Sequence, residues 1–546
     1  MKLKIIACLM LPIFIQAQTP KKIIKETDKA PKLIVGIVVD QMRADYISRY
    51  WSKYGNNGFK RLVNNGFYCK NTNYNYVPTY TGPGHASIFT GTTPSAHGII
   101  SNEWFSRTEN KMIGCVADQN VITVGSESKE GLASPKNLLS TTIGDELRIS
   151  TLKKSKVIGV SLKDRSAILS VGHSANAAYW FDEITANFIS SSHYMNELPK
   201  WVFDFNDKKT AQQYLQQGWS TLLPIEQYTE SLADENNYEK APNKKEKPVF
   251  PYDYTANIEK KDFDIICSTP WGNTITKDFA IEAIKGEQLG KDEYTDMLCI
   301  SFSSTDYVGH SYGPKSIEIE DVYLRLDKDI EQLLMSLDKE VGADNYVLFL
   351  TADHGACEVP AHLKDMKIPG GYINSKMAKE LKAHLNSIYG DTLLLSYTNQ
   401  QVFLNDATIA SKKLDKVQIE KTCAEFFLKF DGVSETYTSE SLRTQSYSEG
   451  SFRHLVQNGY NFKRSGDVSV CYLPGWMRYA EKGTTHGAEY SYDTHVPLIF
   501  YGAGIPKGSS VRSFNIVDIA PSACMLLNIP FPNACLGKPI EELFRK

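Results

Sequence analysis

Three carboxylates, three imidazoles and one alcohol recur in this chain just after apolar runs or inside short glycine-rich turns. Asp40 follows LIVGIVV, Asp306 and His310 follow MLCISFSST, and Asp353 and His354 follow YVLFLTA. His486 lies in GTTHG, and Thr81 in VPTYTGPGH. Together they are the parts of a two-zinc hydrolytic site with a covalent nucleophile. A threonine alcohol is a poor nucleophile at neutral pH, and zinc coordination supplies the alkoxide by lowering its pKa.

The spacings carry local geometry. Asp306 and His310 are four residues apart, so one helical turn brings both to the same face. Asp353 and His354 are adjacent, and only a curved loop turns both toward one ion. Thr79 and Thr81 flank Tyr80 ahead of Gly82-Pro83-Gly84-His85. Pro83 suits the first turn of a helix, whose free N–H groups and dipole favour an anion. Thr81 adjoins that helix start directly and is the nucleophile of choice over Thr79. Taken singly, such a threonine is an ordinary helix cap and a DH or DxxxH pair a surface feature; the ordered set is what carries the weight. His85, His97, His173 and His495 lie near these motifs but are expected to be hydrogen-bonded structural residues, because the ligand set is complete without them.

The elements that must position these groups are strands. Continuous apolar runs at 33–39, 156–162, 296–302, 345–351 and 496–502 alternate with helical patterns, which predicts an α/β fold with a mainly parallel central sheet flanked by helices. Ligands of such sheets gather at the carboxyl ends of the strands, where Asp40, Asp306 and Asp353 fall. The segment IEIEDVYLRLDKDIEQLLMSLDKEV after the SYGP turn carries apolar residues at helical spacing and should cover the sheet. From about 190 to 290 and again from about 365 to 480 the pattern loosens. Both stretches are read as insertions around the site entrance, the lysine run in KAPNKKEKP being a solvated loop.

The chain has 546 residues, 42% hydrophobic and 23% charged, with a formal charge of −3. That balance gives no reason to expect nucleic-acid binding. MKLKIIACLMLPIFIQAQ has a positive n-region, a short apolar core and a small residue, Ala17, for cleavage. It reads as a signal peptide over 1–17, too short to span a bilayer, and predicts a periplasmic or secreted protein. Cys8 lacks the apolar run that a lipoprotein box needs before it. Removing the leader leaves nine of the ten cysteines, an odd number. Cys524 and Cys535 are placed to pair in an oxidising compartment, or else all are buried thiols.

Read in order, Asp40, TYTGPGH, Asn102, Lys163-Asp-Arg165, DYVGH, ADHG and THG resemble the alkaline phosphatase superfamily, and within it the PafA-type bacterial phosphomonoesterases. The likeness runs from about residue 31 to the end, which implies a linker at 18–30 and one catalytic domain at 31–546 with the two insertions. It implies two zinc ions, one held by Asp306, His310 and His486, the other by Asp40, Asp353, His354 and the Thr81 oxygen. It further implies hydrolysis of small phosphate monoesters through a phosphothreonine. No apolar run is long enough to span a bilayer, and a monomer is expected. Asn102, Lys163 and Arg165 match the family's phosphoryl-oxygen contacts, and their chemistry agrees: arginine grips two oxygens in a fork while lysine adds a movable point charge.

The same superfamily contains the nucleotide pyrophosphatase/phosphodiesterases, which share the threonine and both metal sites. A diester carries a single charge, so the basic constellation favours the dianionic monoester. A sulfatase is disfavoured by the missing formylglycine motif, and a phosphomutase by the export signal. An inert phosphate-binding protein would require the loss of a ligand or of the nucleophile, and none is missing.

Overall fold

The computed structural model describes residues 30–240 and 247–544. The leader, all but the last residue of the linker, and most of the lysine run lie outside the described residues.

Five strands form the middle of an eleven-stranded sheet. In spatial order they are Tyr346–Thr351, Leu33–Val39, Asp296–Phe302, Val157–Ser161 and Ala177–Asp182, each parallel to its neighbours. Every residue of Leu33–Val39 and Asp296–Phe302 is buried. Covered on both faces, such strands have no polar side to alternate, which is why they read as unbroken apolar runs. Truncating one of these side chains, Ile37→Ala for example, is expected to cost about 2–5 kcal/mol.

The run at 496–502 departs from expectation. Its strand, Leu498–Gly502, lies antiparallel to Tyr346–Thr351. A strand enclosed on both faces has the same apolar signature in either direction, so the pattern does not encode orientation. On the other flank Asn187–Ser191 also runs antiparallel, against Ala177–Asp182. The helix Ile317–Glu340 forms as its periodicity predicts, and fifteen of its residues are buried.

The loosened stretches hold more regular structure than they show in sequence. Pro270–Gly286 is a 17-residue helix, started by Thr269 as cap and Pro270 in the first turn. Within 365–480 lies a second, four-stranded antiparallel sheet, ordered Leu394–Thr398, Gln401–Leu404, Val468–Tyr472 and Val433–Thr438. Helices Met377–Tyr389 and Lys416–Phe427 close a separate apolar core over it, through Leu381, Leu385, Ile419 and Phe427. These strands are only four to six residues long and several of their positions stay half-exposed. All nine described cysteines are free thiols, Cys524 and Cys535 included.

Candidate active site

Because four neighbouring strands run parallel, their carboxyl ends form one row. Asp353, Asp40, Asp306 and Lys163 each stand just beyond one of those ends, in that spatial order. Residues more than 300 apart in sequence thus share one pocket of charge, as the topology of such sheets requires.

The helix Ser304–Tyr312 puts Asp306 and His310 on one face, His310 Nε2 lying 3.2 Å from Asp306 Oδ1. His486 Nε2 reaches the same oxygen at 3.6 Å. On the other side His354 Nε2 lies 3.4 Å from Asp40 Oδ1 and 3.7 Å from Asp353 Oδ2. Asp353 and His354 do turn inward from a curved loop, as adjacency demands. The rings of His354 and His486 stack with centroids 3.5 Å apart, so the two groups touch.

Each imidazole is oriented by a main-chain carbonyl. The Nδ1–H of His310 donates to Thr484 O at 2.7 Å, that of His486 to Thr79 O at 2.7 Å, and that of His354 to Gly355 O at 3.0 Å. In this tautomer Nε2 of His354 and of His486 presents a lone pair toward the carboxylates, the arrangement of metal-binding histidines. The burial of His310 is outweighed by Asp306, which raises its pKa, so that without a metal His310 pairs with it as an imidazolium. Burial holds His354 neutral, its pKa pushed down to about 3, and burial with the neighbouring rings keeps His486 well below the usual range.

The carboxylates show the same need from the other side. Burial and then repulsion from Asp306 push Asp40 up to about 6, and burial and then Asp40 push Asp353 well above its ordinary value. Asp306 is held well below, because His310 and Lys163 outweigh its burial. Asp40 Oδ1, Asp353 Oδ2 and His354 Nε2 are buried atoms without a hydrogen-bond partner. Such orphaned donors of electron pairs, converging from three sides, fit a cation. Two triads have ligand atoms within 4.8 Å of one another: Asp306, His310 and His486, and Asp40, Asp306 and His354.

Thr81 is the first residue of the helix Thr81–Thr90, and the cap is Tyr80, which makes no side-chain capping bond. The threonine is therefore not spent on capping, and its hydroxyl has no hydrogen-bond partner among the described residues. The glycines around it permit close approach. A Cβ on Gly84 would meet the Asp353 backbone at 2.6 Å, and one on Gly82 would meet Asn102 Oδ1 at 3.2 Å. Asn102 Oδ1 accepts from the Gly82 N–H at 2.7 Å, which leaves its amide N–H groups available beside the helix start.

Lys163 is buried between both groups, its Nζ 2.8 Å from Asp40 Oδ2 and 2.5 Å from Asp306 Oδ2. The Arg165 guanidinium is less committed: its nearest carboxylate is Asp164 at 3.8 Å, and its buried Nε has no partner. His85 and His97 are structural, bonded to Thr81 O and Ser301 Oγ and to Ser87 Oγ respectively, and His495 bonds Lys70 O.

One residue escaped the sequence reading. Gln41 Nε2 donates to Asp306 Oδ1 at 2.6 Å while its main-chain N–H donates to Asp353 Oδ1 at 3.1 Å. Its φ of +61° is unusual for a side chain of this size. A Cβ on Gly309 would sit 1.9 Å from Gln41 Oε1, so the glycine in DYVGH makes room for it. Its position directly after Asp40 was the only available signal.

The profile of the family described as type I phosphodiesterase / nucleotide pyrophosphatase matches residues 34–496. The chain belongs to this family. Among the family's bacterial relatives, alkaline phosphatase PhoV of Synechococcus elongatus is 44% identical over 530 residues, covering 97% of this chain and 96% of that protein. Alkaline phosphatase PafA of Elizabethkingia meningoseptica is 45% identical over 516 residues, covering 94% of each. The crystal structure of wild-type PafA superposes with a TM-score of 0.92 at 44% identity, covering 94% of this chain and 99% of that one. The alkaline-phosphatase-like fold expected from the motifs is therefore the fold of this family member, and it is a hydrolase. Among the described residues no helix is long and apolar enough to cross a membrane.

Proposed function

We propose that this chain is an exported zinc-dependent alkaline phosphatase that hydrolyses small phosphate monoesters through a phosphothreonine on Thr81. The observation that carries this reading is the convergence of three carbonyl-oriented imidazoles and three buried carboxylates at the start of the helix that Thr81 opens, where His486 bonds Thr79 O and Gly84 lies against Asp353. The kinship with PhoV and PafA supports the monoester.

Asp306, His310 and His486 would hold one zinc ion, and Asp40, Asp353, His354 and Thr81 the other. When bound, the two ions lower the pKa of the attacking oxygen and neutralise charge on the leaving one. Thr81 Oγ1 attacks phosphorus in line and the ester oxygen departs as the alcohol, taking up a proton. Water then attacks the phosphothreonine, releasing inorganic phosphate and restoring Thr81. Asn102 donates its amide N–H, Arg165 its fork and Lys163 its ammonium to the non-bridging oxygens, which carry the charge that the transition state redistributes. Gln41 holds Asp306 and Asp353 in place throughout. The N-terminal leader pattern supports export.

A side-by-side rate comparison on a monoester, a diester and a sulfate ester, with metal analysis of the same sample, tests this. The expected result is two zinc ions per chain, preference for the monoester and loss of turnover on chelation. A fully active metal-free preparation, or a diester turned over faster than the monoester, would overturn it.

A further inference from the structure

A cleft of about 170 Å³ opens between the candidate active site and the small inserted sheet. One wall is Tyr80, which immediately precedes Thr81, together with His486. The other is Gln400, Tyr472, Trp476 and Arg478. Both walls are anchored. Asn399, beside Gln400, donates from its amide to Glu103 O at 2.6 Å, next to Asn102. The Tyr472 hydroxyl is bonded to that of Tyr397 at 3.0 Å. Tyr479, the residue after Arg478, stacks on His310 and points its hydroxyl at the His310 carbonyl at 3.4 Å. The inserted sheet is thus tied to the ligand loops.

Two groups in this cleft have nothing to bind. Arg478 is solvent-exposed, lies with its guanidinium 5.6 Å from the Tyr397 ring centroid, and has no acidic partner among the described residues. The Gln400 side-chain amide likewise has no hydrogen-bond partner among them. Aromatic walls favour a flat apolar body, and an unpaired guanidinium with an amide at the lip favours an acceptor or an anion at its far edge. The cleft begins at Tyr80, which precedes Thr81, and at His486 of the candidate ligand set, so it offers room for the ester substituent of a phosphoryl group held at Thr81.

We infer that this cleft is the leaving-group subsite, and that it selects phosphate monoesters of flat, ring-bearing alcohols carrying an anionic substituent, with Arg478 as the specificity-determining cation. The inference rests on the phosphomonoesterase reading above.

The test compares kcat/KM for 4-carboxyphenyl phosphate with that for phenyl phosphate, in the zinc-loaded wild type and in Arg478→Ala and Arg478→Glu. Taking the ratio within each protein cancels differences in folding and zinc content, and comparing that ratio between proteins cancels intrinsic leaving-group reactivity. The carboxylate preference should fall by roughly three- to tenfold in Arg478→Ala, the range between an exposed ion pair and a charge-assisted hydrogen bond. Arg478→Glu should lower it further and should raise the relative rate on 4-(aminomethyl)phenyl phosphate. Turnover of both esters with a ratio unchanged in both variants would overturn the subsite while leaving the phosphatase reading intact. If the wild type turned over neither ester, both readings would fall together.

Discussion

The two ligand groups stand on the same row of strand ends yet differ in how they meet solvent. Asp40, Asp353 and His354 are fully buried, whereas the side chain of His310 is 26% exposed. In the buried group three ligand atoms have no hydrogen-bond partner, and two carboxylates are pushed toward protonation. In the open group the one carboxylate, Asp306, is satisfied by Gln41, Lys163 and His310. The same side-chain types thus have two energetic settings: the open group is an ion cluster satisfied without a metal, while the buried group, even with Lys163 on Asp40 Oδ2, keeps three unpaired ligand atoms whose desolvation a proton or a metal cation relieves.

The largest expected effect probes what the buried group serves. Thr81→Ala should lower monoester kcat by about a thousandfold or more with zinc content nearly unchanged, whereas Thr81→Ser should keep substantial activity. Stopped assays with metal analysis decide this, and phosphoryl label on Thr79 in place of Thr81 would contradict the assignment. Next in size is the basic constellation. Lys163→Ala and Arg165→Ala should each reduce monoester kcat/KM by about ten- to a hundredfold, with diester hydrolysis changed much less. Equal losses on both esters would mean that these residues support both ligand groups and not the dianion.

Gln41 sharpens the comparison because it touches both groups. Gln41→Leu should weaken zinc affinity by about ten- to a hundredfold, read by chelator competition, while Gln41→Glu tests whether donation or mere contact matters. Unchanged affinity in the leucine variant would remove Gln41 from the site.

The smallest effect is a pH dependence confined to the buried group. Asp40 has a pKa raised to about 6 from an ordinary 3.8, so its protonated form stabilises the zinc-free fold. That contribution is fully present below about pH 3.8 and disappears as pH rises through 6. The melting temperature of chelated protein should therefore carry a falling component between about pH 4 and 6 that Asp40→Asn flattens. Zinc-loaded protein should show the opposite slope, because binding releases those protons. Identical slopes in the two forms would place the buried group on the same footing as the open one.

Much of this site was legible in the sequence because its ligands follow elements with strong periodic signals. The strand before Asp40 and the helical turn joining Asp306 to His310 are local patterns, read within a few residues. Gln41 was not legible in this way, since its meaning lies in contacts 265 and 312 residues away. Lys163 was named from its motif, but its burial between two carboxylates depends on strand order and could not be read locally. Direction was also hidden at Leu498–Gly502, where an apolar run reads the same in either orientation. The small sheet was hidden for the opposite reason: half-exposed strands of four to six residues leave too few alternations to read.

Gly84 has a consequence for tolerance to change. The helix that Thr81 opens rests on the Asp353 loop at Gly84, where an added Cβ would meet the Asp353 carbonyl oxygen at 2.6 Å and its Cβ at 2.7 Å. No rotamer can swing at that joint, so the spacing of hydroxyl and ligand loop is set like two machined faces in direct contact. Gly84→Ala is therefore expected to shift the start of this helix relative to the Asp353 loop.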